Sequence, residues 1–358
     1  AVSLGVYVHL PFCRVHCTYC PFAISTDIEL QNAYVDALIR EIRSRPVRDV
    51  ESIYFGGGTP SRTSIENLQR IVDELGAASE FSIEANPEDI TADALAAWRD
   101  LGVNRVSIGV QSFNDRELAA IGRIHDSNRA REAVALTVAS GVRTSLDLIL
   151  GLPHQTKESF EATLAQAIDL NVGHLSLYML DLEEGTPLHA QVARGRIAVA
   201  EDELIVSLYD YAVRTLADAG LKQYEVSNFA REGEECRHNL RYWNRGEYAA
   251  FGIGAHSFLG EERFANTRNI RAYIADPEHA RDFAENLGDG ERKREHLFLG
   301  LRQARGMYYE DLIRLCGQEA SEWIERGLRD GWLWQSGSRV AFTSSGFLLS
   351  NDYISQLF

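Results

Sequence analysis

Residues 4–20 read LGVYVHLPFCRVHCTYC, and residues 52–61 read SIYFGGGTPS. Each stretch opens with a short β-rich apolar run and passes directly into a loop of unusual chemistry, three cysteines in the first and three consecutive glycines in the second. The pattern repeats downstream. Further runs span Phe81 to Ala85, Val106 to Val110, Ser145 to Leu150 and Leu175 to Leu180. The intervening segments have helical spacing, as Ile65, Leu68, Ile71, Val72 and Leu75 do behind an N-cap at Thr63 or Ser64. Such β-α alternation predicts a parallel sheet with crossover helices, and about six units make either an open doubly wound sheet or an incomplete barrel. Periodicity does not choose between them.

In both architectures ligands collect at the carboxyl ends of the strands. Here those ends carry PFCRVHCTYC, GGGTPS, Asn86-Pro87, Gln111-Ser112-Phe113 and Gly151-Leu152-Pro153, so one rim is expected to surround a polar or metal-bound ligand.

The rest of the composition narrows the class. At 358 residues, 45% hydrophobic and 25% charged, the chain has room for one large globular domain and an appendage. It contains no run of 18 apolar residues, and the stretch AVSLGVYVHL has neither a basic leader segment nor a small-residue cleavage site, so a cytoplasmic protein is expected. The formal charge of -16 argues against nucleic acid or an anionic membrane surface as the main partner. Five cysteines, three of them within eight positions, indicate metal chemistry in a reducing compartment and not a disulfide framework.

Residues 200–290 are mixed and carry CRHNLRYWNRGEY. From about Arg292 the order becomes helix REHLFLGLRQ, helix YYEDLIRLCG, helix ASEWIERGLRDG and then two short strands about a Ser-Gly turn in WLWQSGSRVAFTSSG, which is the order of a winged helix. Residues 290–358 hold nine Lys/Arg and nine Asp/Glu with no basic stripe, so this tail reads as a packing or partner module and not as a DNA reader.

Cys13-x3-Cys17-x2-Cys20 offers three thiolates on one short loop. A structural zinc site closes with four protein ligands, for which His9 or His16 would be the fourth, but the loop is a poor match to paired zinc knuckles. A four-iron cube suits it better: three cysteines leave one iron without a protein ligand, as a cluster that binds a small molecule directly requires. Zinc, an electron-transfer cluster with Cys236 or Cys316 as a distant fourth ligand, and buried apolar cysteines remain the alternatives. Gly56-Gly57-Gly58-Thr59-Pro60 is neither a Walker loop nor a dinucleotide fingerprint; its glycines let backbone approach a ligand closely.

The cysteine spacing with Tyr19, followed one β-α unit later by the glycine run, resembles the radical S-adenosylmethionine (SAM) superfamily. In that family the free iron chelates SAM, whose reductive cleavage gives a 5'-deoxyadenosyl radical. The resemblance implies a partial (βα)6 radical-SAM barrel with a small winged-helix-like α+β domain. It further implies a [4Fe-4S] cluster on Cys13, Cys17 and Cys20, and SAM held by Tyr7, Tyr19, Gly57, Gly58, Thr59 and Glu84. YVHLPFCRVHCTYC, YFGGGTPS, IEANPED, GVNRVSIGVQSF, Gly122 to His125 and LDLILGLPHQT are similar to the oxygen-independent coproporphyrinogen oxidase group, in which Gln111, Arg123 and Asp147 would contact a second SAM.

Two features turn that resemblance toward the sister group of HemW heme chaperones. Phe22 stands where the oxidase pattern has a further cysteine, and His238-Asn239-Leu240-Arg241-Tyr242-Trp243 matches the HNxxYW motif of the chaperones, although Pro21 replaces their usual Asp. Heme would then take His238 as an axial ligand, with Tyr242 and Trp243 against the porphyrin and Arg241 or Arg237 on a propionate. His256 is a second candidate ligand, though it reads more readily as a core histidine. The resemblance implies delivery of heme to an acceptor apoprotein, a membrane or respiratory target among them, with the tail in dimer contact or docking. The rival readings are a coproporphyrinogen III oxidase, a radical SAM methyltransferase, and a heme-storage protein with vestigial SAM. The expected division is a barrel over 1–230, an HNxxYW extension packing on the barrel over 231–290, and the winged-helix-like domain over 291–358.

Overall fold

The computed structural model describes residues 3–358. Ala1 and Val2, which open the stretch read for a leader, lie outside the described residues. The chain forms two compact units, one of residues up to Ala200 together with Gly246–Asn286, the other of Glu201–Arg245 together with Leu287–Phe358.

In the first unit the alternation is realised as β1 (Leu4–Leu10), α1 (Gln31–Ser44), β2 (Val50–Gly57), α2 (Ile65–Leu75), β3 (Glu80–Ala85), α3 (Ala92–Asp100), β4 (Arg105–Gln111), α4 (Asp115–Ala120), α5 (Ser127–Ala139), β5 (Arg143–Leu150), α6 (Lys157–Asp169) and β6 (His174–Met179). All six strands are parallel and pair in the order 1-2-3-4-5-6. This order answers the question periodicity leaves open. A doubly wound sheet reverses direction part way, whereas an unbroken sequential order turns every crossover the same way and curls the sheet into a barrel arc. Side chains such as Ser64, Thr91, Asp126 and Thr156 cap the helices, each accepting a backbone N–H of the first turn.

One face of each strand carries apolar residues, including Val6, Val8, Phe55, Ile83, Val106, Ile108, Leu146, Leu148, Leu175 and Leu177, all buried. The alternate positions are polar: Ser82 and Glu84 on β3, Arg105, Ser107 and Gln111 on β4, Ser145 and Asp147 on β5, and His174 and Ser176 on β6. At the amino ends this polar side is closed by the buried Arg105–Glu80 pair at 3.5 Å and by Ser145 Oγ and His174 Nδ1 at 2.6 Å. At the carboxyl ends it opens into a cavity.

The sheet also grows beyond β1, which the sequence reading did not foresee. The strand Tyr248–Phe251 pairs in parallel with β1, and His256–Leu259, Glu262–Asn266 and Arg281–Asn286 continue from it antiparallel. Buried Glu41 of α1 secures this extension, accepting from Gly252 N, Asn266 Nδ2 and Tyr273 Oη at 2.9, 2.7 and 2.5 Å.

The expected boundaries at 230 and 290 therefore do not follow the compact units. Residues 201–230 belong with the tail, and the expected extension is divided, its HNLRYW helix in the second unit and its strands in the first. Strand pairing across more than two hundred residues decides this, and local patterning carries no trace of it.

The second unit holds the long helix Asp202–Asp218, the hairpin Lys222–Gln223 and Asn228–Ala230, the short helix Arg237–Trp243, and the tail. Tail helices occupy Asp289–Leu301, Tyr309–Cys316 and Gln318–Arg329, followed by the strands Leu333–Ser336 and Arg339–Phe342. A third strand, Met307–Tyr308, too short to read from sequence, completes the winged-helix sheet. Its core packs Leu297, Leu301, Leu312, Trp323, Ile324, Val340, Phe342 and Tyr353. Trp323 stacks on Tyr353 at 4.6 Å, and each donates to the other's carbonyl, at 2.8 and 2.7 Å.

Candidate cluster and SAM site

The cavity at the carboxyl ends of the barrel strands measures about 400 Å3. Cys13, Cys17, Tyr19, Cys20, Gly57, Gly58, Thr59, Glu84, Gln111, Arg123 and Asp147 all line it, so residues up to 134 positions apart in the chain meet on one wall.

The cysteine loop is fastened at several points. Cys13 N donates to Ser25 O at 2.9 Å, Thr18 N to Ile121 O at 3.2 Å, and Leu188 N to Thr18 O at 2.9 Å. Arg14 lies 2.6 Å from Asp89 on the turn after β3. Each thiol receives one donor: Cys13 the Thr59 hydroxyl at 3.3 Å, Cys17 the Arg123 guanidinium at 3.7 Å, and Cys20 the backbone N–H of Phe22. Burial pushes the Cys13 thiol up to about 11 and raises that of Cys20 as well.

Gly57 and Gly58 are required by space. Gly57 has φ +117, and a Cβ there would lie 2.8 Å from the His9 ring; at Gly58 it would lie 2.5 Å from Pro11 O and 3.0 Å from Cys13 Sγ. The glycine run therefore lies directly against the cysteine loop, a bare backbone cradle beside three thiols.

The polar groups in the cavity are held by burial and by short bonds. Glu84 accepts from Tyr54 Oη at 2.9 Å and Gly57 N at 3.2 Å. Burial, and then the neighbouring Asp147 charge, push the Glu84 carboxyl up to about 7. Burial likewise pushes Asp147 up to about 6, although Ser107 Oγ donates to both its oxygens at 3.2 and 3.1 Å. Gln111 ends β4 at φ +68, beside a register irregularity at Gly109, and this left-handed backbone costs about 1–3 kcal/mol. Arg123 is held by Asn86 Oδ1 and Gly109 O, both at 2.7 Å.

Two candidate residues do not line this cavity. Tyr7 is not among the lining residues; its ring stacks on Tyr54 at 6.2 Å, and Tyr54 reaches Glu84. His238 lies in the second unit and is fully buried, its Nε2 2.7 Å from the Tyr242 hydroxyl and its ring edge-on to that tyrosine. Burial lowers the His238 pKa to about 3, so the imidazole is neutral, the form that ligates iron, but in this conformation it is turned inward. His256 corrects the expectation of a core histidine: it is exposed at the head of its strand, 6.4 Å from the Phe283 ring.

The rejected ligand sets can also be judged. His9 is buried, with Nε2 2.7 Å from Ala23 O and Nδ1 3.2 Å from Tyr7 Oη, so both ring nitrogens are engaged. Cys236 and Cys316 are not among the residues that line the cavity. Among the described residues no three His, Cys, Asp or Glu side chains converge as the ligands of a single ion would. A cubane needs no such convergence, because each thiolate meets a different iron. The thiol loop, the backbone cradle and the half-buried carboxylates fit a cluster with an amino-acid-bearing ligand beside it.

Residues 7–167 match the radical SAM superfamily, and the fold and site define a radical SAM protein. The structure superposes on coproporphyrinogen III oxidase (HemN) from Escherichia coli with a TM-score of 0.84 at 24% identity, covering 99% of this chain and 90% of that one. In sequence the chain is 33% identical over 365 residues to the heme chaperone HemW of Lactococcus lactis subsp. lactis, covering 97% and 95% of the two proteins. It is 37% identical over 329 residues to the mitochondrial radical S-adenosyl methionine domain-containing protein 1 of Mus musculus, covering 86% and 74%. The chain belongs to the HemW heme chaperone family.

Proposed function

We propose that this protein binds heme and passes it to an acceptor apoprotein, using a barrel that carries a [4Fe-4S] cluster and SAM. Cys13, Cys17 and Cys20 hold the cluster. Gly57, Gly58 and Thr59 offer backbone and hydroxyl to the methionyl part of SAM, Glu84 accepts its ammonium group, and Tyr19 closes the wall beside the cysteine loop. Tyr7 acts through Tyr54. Gln111, Arg123 and Asp147 bound the deeper side, where they contact the nucleoside part or a second SAM. When bound, the cluster supplies the electron for reductive cleavage of SAM. The chain's own contribution is to orient that ligand and to exclude water from it.

The observation that carries the SAM reading is the meeting of three thiols, a side-chain-free glycine cradle and a half-buried carboxylate in one cavity. Family membership carries the heme reading. His238 serves as axial ligand once its bond to Tyr242 is released, with Tyr242 and Trp243 along the porphyrin and Arg237 or Arg241 toward a propionate. The winged-helix-like tail, without net charge, takes the docking or dimer contact, and a membrane-associated acceptor in the cytoplasm is the favoured target. No described helix is long and apolar enough to cross a membrane.

The test is an anaerobic reconstitution followed by heme titration with and without SAM, then mixing with an apo-acceptor. Stoichiometric heme binding and transfer are expected. Catalytic turnover of coproporphyrinogen III to protoporphyrinogen would replace this reading with that of the oxidase.

A further inference from the structure

The donors on Cys13 and Cys17 are not independent. Asn86 Nδ2 donates to Thr59 Oγ1 at 3.2 Å, and Thr59 Oγ1 donates in turn to Cys13 Sγ at 3.3 Å. At its other end Asn86 Oδ1 accepts from the same Arg123 guanidinium that reaches Cys17 Sγ, at 2.7 and 3.7 Å. A continuous chain of hydrogen bonds therefore runs from one thiol to another through a single carboxamide. We propose that Asn86 is a positioning residue that sets the reduction potential of the cluster by aligning Thr59 and Arg123 on two of its three sulfurs. The inference rests on the cluster assignment made under Proposed function.

The residue type fits the task. A link between a hydroxyl and a guanidinium must donate at one end and accept at the other, which a carboxamide does and a carboxylate or an aliphatic group does not. Its setting is equally specific. Pro87 confines Asn86 to extended backbone, found at φ -91 and ψ 149, and its own N–H donates to Ser61 Oγ at 3.3 Å. Gly109 leaves the junction open, since a Cβ there would lie 3.3 Å from Asn86 Oδ1 and 3.4 Å from the guanidinium of Arg123. The third sulfur takes its donor from backbone at Phe22, beyond reach of this chain of bonds. Hydrogen bonds to cluster sulfurs withdraw electron density and favour the reduced state, so misaligning two of three donors must lower the potential.

The experiment is a redox titration followed by paramagnetic resonance on reconstituted protein without SAM, for the native chain, Asn86→Ala, Thr59→Val, Thr59→Ser and the Asn86→Ala/Thr59→Val pair. Asn86→Ala is expected to keep the native iron and sulfide content and to titrate at a more negative potential. Thr59→Val shifts less, having lost one donor, and Thr59→Ser returns toward the native value. In the Thr59→Val background Asn86→Ala shifts less than it does alone, because part of its effect runs through that hydroxyl. An unmoved potential at full iron content, or strictly additive shifts, overturns the proposal. If Asn86→Ala does not fold or hold iron, Asn86→Ser, whose short side chain spans only one of the two bonds, is read against the same outcomes. A native chain that assembles no cluster overturns the cluster assignment itself, a result distinct from a native cluster whose potential ignores Asn86.

Discussion

Glu84 and Asp147 enter one cavity from strands on either side of β4, both half-buried, and the Asp147 charge adds to the desolvation that holds a proton on Glu84. Glu84 keeps its proton to about pH 7, against an ordinary 4.5. The folded SAM-free chain thus binds more protons than the unfolded chain across that window, and its stability falls as pH rises through it. Glu84→Gln keeps both local bonds, since the amide oxygen accepts from Gly57 and the Tyr54 hydroxyl turns to accept the amide. At pH 8 this variant should unfold later in denaturant than the native protein, by roughly 1 to 3 kcal/mol, with the difference closing below pH 5. SAM should behave oppositely: its ammonium group favours ionised Glu84, so affinity should weaken by up to about tenfold per pH unit below 7. Glu84→Gln should bind SAM weakly with little pH dependence, as read by calorimetry at pH 6 and pH 8.

Gly58 allows a sharp contrast. Gly58→Ala places a carbon against Pro11 O, which is backbone and cannot swing aside, and against Cys13 Sγ. The variant should lose about 1–3 kcal/mol by thermal melting and reconstitute with less iron than the native chain. Gly76→Ala serves as control. Unlike Gly58 it sits at positive φ, +77, and a Cβ there meets nothing within 4 Å. It should cost about 1 kcal/mol and leave iron content unchanged.

The inward turn of His238 makes the heme reading testable in an unusual direction. If ligation requires breaking the bond from Nε2 to Tyr242, then Tyr242→Phe removes a competitor while keeping the ring, and heme affinity should rise about fivefold, the equivalent of about 1 kcal/mol. His238→Ala should reshape the Soret band and, by emptying the space of a fully buried ring, cost about 1–3 kcal/mol. His256→Ala, at an exposed ring, should leave the fold intact. A Soret band that responds to His256→Ala and ignores His238→Ala would transfer the ligand role to the strand.

The six barrel strands were legible because each places β-rich apolar residues at alternate positions on its core face, and their loops stood out by chemistry. Eleven of the thirteen candidate residues reach the cavity, since the carboxyl end of a parallel strand fixes where its loop must go. What stayed hidden is non-local. Nothing in YAAF announces a parallel partner in β1, and nothing near Asn86-Pro87 shows that this carboxamide joins two thiol donors. The polar amino end of the barrel, with Arg105, Glu80 and His174 buried together, also escaped notice because each residue alone reads as surface. His238 was found by motif, but a motif holds no record of which way a side chain faces.

The strand Tyr248–Phe251 lies beside β1, yet about forty-five residues of the second unit, Glu201–Arg245, come between it and the preceding barrel segment. On the ribosome, the opening strand must wait with one flank bare until most of the polypeptide has been made. Its neighbour arrives only after a stretch committed to another compact body has emerged. Neither body can be released as a contiguous fragment, so a single cut cannot give two self-sufficient halves. Nascent chains stalled between residues 200 and 248 should be those most dependent on holdase protection.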